Sequence, residues 1–167
     1  MKNVLKGILG LIAVLTAILL FNAYNLGDVR PLGGSAKLMN INIQKAVDRL
    51  SGGIKIPTIS QMNSDKIDYT QFLNFNRYLR REFPKVFNTL ESYTINKHSL
   101  ILKWGGIQPL KKPILLMAHM DVVPIDDQSL DQWTHPPFSG ETDSTTVWGR
   151  GTMDDKGSLF AIMESVD

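Results

Sequence analysis

His119-Met120-Asp121 and Gly149-Arg150-Gly151-Thr152-Met153-Asp154-Asp155-Lys156-Gly157 are the two stretches whose residue types and spacing point to chemistry. A neutral imidazole is a strong zinc ligand, and a nearby carboxylate can hold its second ring nitrogen and raise its basicity. If the backbone is extended, a period of two puts the His119 and Asp121 side chains on the same side. By itself a His two residues before an Asp is more often a satisfied histidine at a strand end. In the second stretch the glycines permit a tight backbone path beside a ligand. Adjacent carboxylates at Asp154 and Asp155 cannot be buried together without a cation to offset their repulsion. The same two residues also suit the N-cap of a following helix, and both roles can coexist.

The elements that must position these residues follow from hydropathy. Pro113 to Ala118 (PILLMA) is a continuous apolar run and predicts a strand buried on both faces of a sheet, with His119 at its end. Val147-Trp148 predicts a shorter strand, and Leu159, Phe160, Ile162, Met163 and Val166 predict a helix from Lys156 onward. Upstream, Leu38, Ile41, Ile43, Ala46, Val47 and Leu50 form a helical stripe, with Gly52-Gly53 as its expected C-cap. Phe72, Phe75, Leu79 and Phe83 recur at helical spacing over Thr70 to Phe83, stop at Pro84, and read as core. Tyr93-Thr94-Ile95 and Leu100-Ile101-Leu102 flank Asn96-Lys97-His98-Ser99 as a hairpin, which makes His98 a solvated turn residue.

Gly7 to Phe21 is unbroken by charge and extends through Tyr24 to about 18 residues, which at about 1.5 Å each approaches the hydrocarbon thickness of a bilayer. Behind Lys2 and Lys6, residues 1–24 read as a membrane anchor or a signal segment. The domain is then outside the cytoplasm: membrane-anchored through residues 7–24, or secreted or periplasmic after cleavage. Phe21 stands where a cleavage site prefers a small residue, which favours the anchor. Residues 25–35 (NLGDVRPLGGS) read as a linker, and the folded domain spans 36–167.

The 167 residues are 43% hydrophobic and 20% charged, the composition of about one globular domain. With no cysteine, disulfides, thiolate zinc sites, iron–sulfur clusters and cysteine nucleophiles are excluded. The net charge of +2 conceals a polarity. Arg30 to Lys112 holds 14 bases and 5 acids, a net +9, whereas Pro113 to Asp167 holds two bases against ten acids, a net −8. Such an acidic segment suits a multivalent cation, although two solvated faces that neutralise each other would look the same. The basic segment has no Arg/Lys run interleaved with aromatics, so no nucleic-acid partner is expected.

Taken jointly, Leu115 through Pro124 (LLMAHMDVVP), Trp133 with Pro136-Pro137-Phe138-Ser139-Gly140, and Gly149 through Gly157 resemble the amino-terminal half of the carboxypeptidase S and aminoacylase family of di-zinc metallopeptidases. The Asp-Asp-Lys variant and the Pro-Pro-Phe-Ser-Gly stretch are most similar to its carboxypeptidase S-like branch, which includes secreted N-acyl-amino-acid hydrolases. The resemblance is sharp over residues 113–167 and weaker over 36–112, where Ile56-Pro57-Thr58-Ile59-Ser60 is similar to an early Pro-Thr segment of the family.

The resemblance implies an α/β fold with a central mixed sheet flanked by helices, incomplete in this chain. It implies two zinc ions per subunit in the complete protein, with His119 a ligand of one and Asp154 the carboxylate bridging both. Asp121 enters the catalytic apparatus as the aspartate that orients His119, and Asp155 lies behind the ligands. Arg150 and Lys156 are expected to pair with these acids, Trp133 and Phe138 to pack loops, and His135 to hold no zinc. The implied reaction is hydrolysis of a peptide or an N-acyl amino acid at its amide bond. Relatives draw a Glu-Glu pair, whose members act as general base and zinc ligand, from downstream sequence, together with a further acidic ligand, a late histidine and a dimerisation domain. The chain is therefore expected to be the amino-terminal part of a longer protein, homodimeric when complete and inactive as this piece alone. The alternative from another class is a non-catalytic, membrane-tethered binding module that retains the fold.

Overall fold

The computed structural model describes residues 2–25, 41–108 and 110–167. These fall into two units, Met1–Asn40 and Ile41–Asp167. The expected linker lies, beyond Asn25, outside the described residues, as does the expected domain start at Ala36. In the first unit, α1 (Lys2–Asn25) is one helix with no buried residue. Its mean hydropathy reaches 2.5 over 18 residues, and it is long and apolar enough to cross a membrane.

In the second unit, α2 (Ile43–Ile54) opens at Asn42, whose side-chain oxygen accepts the Lys45 N–H at 3.0 Å. Ile41 and Ile43 of the expected stripe are exposed, and α2 instead buries Arg49, Ser51, Gly53 and Ile54. Gly52-Gly53 is not the C-cap: the helix runs through both glycines and is capped at Lys55. A methyl group on Gly52 would strike the Tyr78 ring, and one on Gly53 the Phe160 ring. The pair is there for close helix approach, a tertiary demand that resembles a stop signal in sequence.

Asp68 caps α3 (Tyr69–Glu82) by accepting the Thr70 N–H at 3.0 Å. Pro84 ends α3 as expected and begins α4 (Pro84–Thr89), where its missing N–H costs nothing. The hairpin is present as β1 (Glu91–Ile95) and β2 (Ser99–Lys103), antiparallel with Tyr93 opposite Ile101. Asn96 and Lys97 take the left-handed φ values, 47° and 69°, that close the turn. His98 is not solvated. It is half-buried with its ring stacked 4.5 Å from that of Tyr69, and its carbonyl accepts the Asn76 amide at 2.7 Å.

The last helix, α5 (Lys156–Val166), supplies Phe160 and Met163 to a core completed by Phe75, Leu79, Phe83 and Val86. Phe160 is its centre, edge-on to Phe75 at 6.1 Å and 5.9 Å from Phe83. Helices with a small sheet fit the expected α/β class, but the central sheet differs from expectation. Among the described residues the ladder is the two-stranded β1–β2 pair. Residues 113–118 form no strand, and Ile114 to Met117 are exposed, because an extended run becomes a strand only against a partner backbone. Val147-Trp148 likewise reduces to one antiparallel bridge between Thr142 and Val147.

Candidate metal centre

Two backbone stretches meet to form the centre. The first is set by a parallel bridge between Ile59 and Val122, in which Val122 N–H donates to the Thr58 carbonyl and Ser60 N–H to the Val122 carbonyl, each at 2.9 Å. The second enters α5 through Gly149 and Gly151, whose φ values of 145° and 90° suit glycine and let the loop close against Ile54 and Val122. The peptide between Asp154 and Asp155 is cis.

His119 joins the two stretches. Its Nε2 lies 3.0 Å from Asp154 Oδ1, and its Nδ1 lies 3.0 Å from the Asp121 carbonyl and 3.2 Å from Asp121 Oδ1. Its backbone N–H donates to Asp155 Oδ2 at 3.2 Å. His119, Asp121, Asp154 and Asp155, more than thirty residues apart in two pairs, are therefore brought together. Desolvation is the largest influence on the imidazole and pulls its pKa down, but the Asp121 carbonyl, the Asp154 carboxylate and the charges of Asp121 and Asp155 together hold it above the usual histidine value. The carboxyl of Asp155 is held below its usual range, first by the Ser158 hydroxyl and also by the His119 N–H and charge. This arrangement of carboxylates around one imidazole favours positive charge.

The donor chemistry of His119 and Asp154 would suit a zinc ion. Asp121 occupies the Nδ1 side and leaves Nε2 to face Asp154, whose side chain is 90% exposed and free to turn toward an ion. Among the described residues, no group of three or more His, Asp or Glu side chains converges on a single point.

Lys156 departs from expectation. It is fully buried, and its ammonium donates to the carbonyls of Gly53 at 3.0 Å and Ile56 at 2.7 Å instead of pairing with the acids. Burial pushes its pKa down to about 7, while those carbonyls and the Phe75 ring 4.8 Å away partner the charge. Among the described residues Arg150 pairs with no acid either: its guanidinium lies 5.0 Å over the Trp133 ring. The expected loop packing of Trp133 thus has a definite partner. His135 stands apart, with Nδ1 2.7 Å from Glu141 and its ring 4.5 Å from that of Trp148. Sequence reasoning gave no role to Thr58, whose hydroxyl donates to the Met120 carbonyl between His119 and Asp121. The Pro57-Thr58 pair was its only signal.

The profile of peptidase family M20/M25/M40 matches residues 115–167, the stretch that carries this geometry. The chain is 50% identical over 121 residues to a probable carboxypeptidase S-like protein of Dictyostelium discoideum, covering 71% of this chain and 23% of that protein. It is 38% identical over 129 residues to carboxypeptidase S of Saccharomyces cerevisiae, covering 73% and 22%. It is 35% identical over 122 residues to the N-fatty-acyl-amino acid synthase/hydrolase of Homo sapiens, covering 72% and 24%. Over these residues the chain is similar to carboxypeptidase S-like proteins of the M20 family. It spans about a quarter of the length of these curated relatives.

Proposed function

We propose that the complete protein is a metal-dependent hydrolase of amide bonds in peptides or N-acyl amino acids bearing a free carboxylate, with two zinc ions per subunit. The observation that carries this reading is the 3.0 Å approach of His119 Nε2 to Asp154 Oδ1, with Asp121 on the other ring nitrogen. The hydrolase class is supported by the match to the M20 peptidase profile and by similarity to relatives named as a carboxypeptidase and an N-fatty-acyl-amino acid synthase/hydrolase. In this reading His119 and Asp154 would hold zinc. Asp121 fixes the His119 tautomer so that Nε2 presents its lone pair, and Asp155 keeps the His119 backbone in place through its N–H. Held by these residues, zinc would supply Lewis-acid polarisation of the scissile carbonyl. Helix α1 tethers the domain to a membrane, outside the cytoplasm.

Elemental analysis of the complete protein and its Asp154→Ala variant, beside hydrolysis of a panel of dipeptides and N-acyl amino acids, tests the reading. Two zinc ions and turnover are expected in the parent, and fewer than two with turnover lost in the variant. A variant that still holds two zinc ions tightly would remove Asp154 from the ligand set.

A further inference from the structure

The carboxylates and imidazole of the centre sit on two stretches, residues 119–121 and 154–155, and both are registered by one short third segment, Gly53 to Ser60. Thr58 is fully buried within it. Its hydroxyl donates to the Met120 carbonyl, its own carbonyl accepts Val122 N–H at 2.9 Å, and Ser60 N–H donates to the Val122 carbonyl at 2.9 Å. These bonds hold the backbone at Met120 and Val122, the residues either side of Asp121. At the other end, the buried Lys156 ammonium grips the carbonyls of Gly53 and Ile56, fixing the residue immediately after Asp154-Asp155 to the same segment. Thr58 N–H closes back on the Ile56 carbonyl at 2.9 Å, so the two anchor points share one tight turn.

We propose that Thr58 is a positioning residue of the metal centre, with Lys156 its counterpart, and that together they set the separation of His119 from Asp154. The inference rests on the zinc reading above. Neither side chain supplies an ion ligand; each acts on the backbone that carries one. A buried hydroxyl has no need to be at position 58 for packing alone, since valine has nearly the same shape. What valine lacks is the donor to the Met120 carbonyl.

The test uses the complete protein and its Thr58→Val, Thr58→Ser and Lys156→Met variants. Zinc affinity is measured by chelator competition, and ligand geometry by the visible spectrum of the cobalt-substituted protein. Thr58→Val is expected to weaken zinc about 10- to 100-fold, the range for residues that orient metal ligands, and to shift the cobalt bands. Thr58→Ser, which keeps the hydroxyl, is expected to restore both. Lys156→Met keeps the apolar stem, removes the ammonium and reports the same spacing from the Asp154 side; it takes the place of Thr58→Val if that variant does not fold. Parent-like affinity and spectrum in folded Thr58→Val would overturn the proposal. So would a serine variant as defective as the valine, since the methyl group would then be what matters. A parent protein that binds no zinc overturns the metal reading, and this inference with it.

Discussion

Arg49 and Glu164, 115 residues apart, meet at 2.9 Å across the interior face of α2 and α5. The Arg49 guanidinium also lies 4.0 Å over the Phe83 ring and donates to the Glu82 carbonyl at the end of α3. One nearly buried side chain, 3% exposed, thus ties three helices together. Arg49→Ala is expected to cost about 3 kcal/mol, because it leaves the Glu164 charge and the Glu82 carbonyl without their partner. Urea denaturation measures it; a loss below about 1 kcal/mol would class the pair with surface ion pairs.

Gly53 sets two effects against each other. Alanine in a helix interior gains about 1 kcal/mol over glycine. Here the added methyl meets the Phe160 ring at the centre of the core, and overpacking costs about 1–3 kcal/mol. Gly53→Ala is therefore expected to lower the melting temperature by a few degrees. A rise in calorimetry would show that α2 and α5 can separate without loss.

Asp143 makes the Trp148 environment sensitive to acid. The backbone N–H of Thr145 and the Trp148 indole N–H, which reaches Asp143 Oδ2 at 3.1 Å, hold its carboxyl down to about 2. A lowered folded-state pKa gives stability that is present above the unfolded value near 4 and lost as pH falls through about 2. Trp148 fluorescence should stay constant down to about pH 3 and then change with a midpoint near pH 2. Asp143→Asn should abolish that transition, and a transition unchanged in the variant would assign it to another group.

Helix α1 leads to a topological expectation. With Lys2 and Lys6 holding the tail on the cytoplasmic side, protease added outside sealed spheroplasts should digest the unit Ile41–Asp167. Protection of that unit while an exported control is digested would count against the anchor. An amino terminus found at about Asn25 would instead mark a cleaved signal.

Sequence alone determined what depends on neighbours along the chain. The aromatic spacing of Phe72, Phe75, Leu79 and Phe83 with the stop at Pro84, the alternation flanking Asn96-Lys97, and the apolar pattern after Lys156 gave α3, the hairpin and α5 in place. The two motifs likewise singled out His119, Asp121, Asp154 and Asp155, which meet in the fold. Tertiary structure decided what depends on distant partners. Gly52-Gly53 looked like a helix end and is a contact surface for Tyr78 and Phe160. Lys156 looked like a partner for acids and is bound to two carbonyls of the segment after α2. His98 looked solvated and is stacked on Tyr69. Pro113 to Ala118 read as a strand and has no ladder among the described residues, since pairing belongs to two segments at once. Burial, close approach and backbone pairing are all set by residues tens of positions away, so local periodicity cannot carry them.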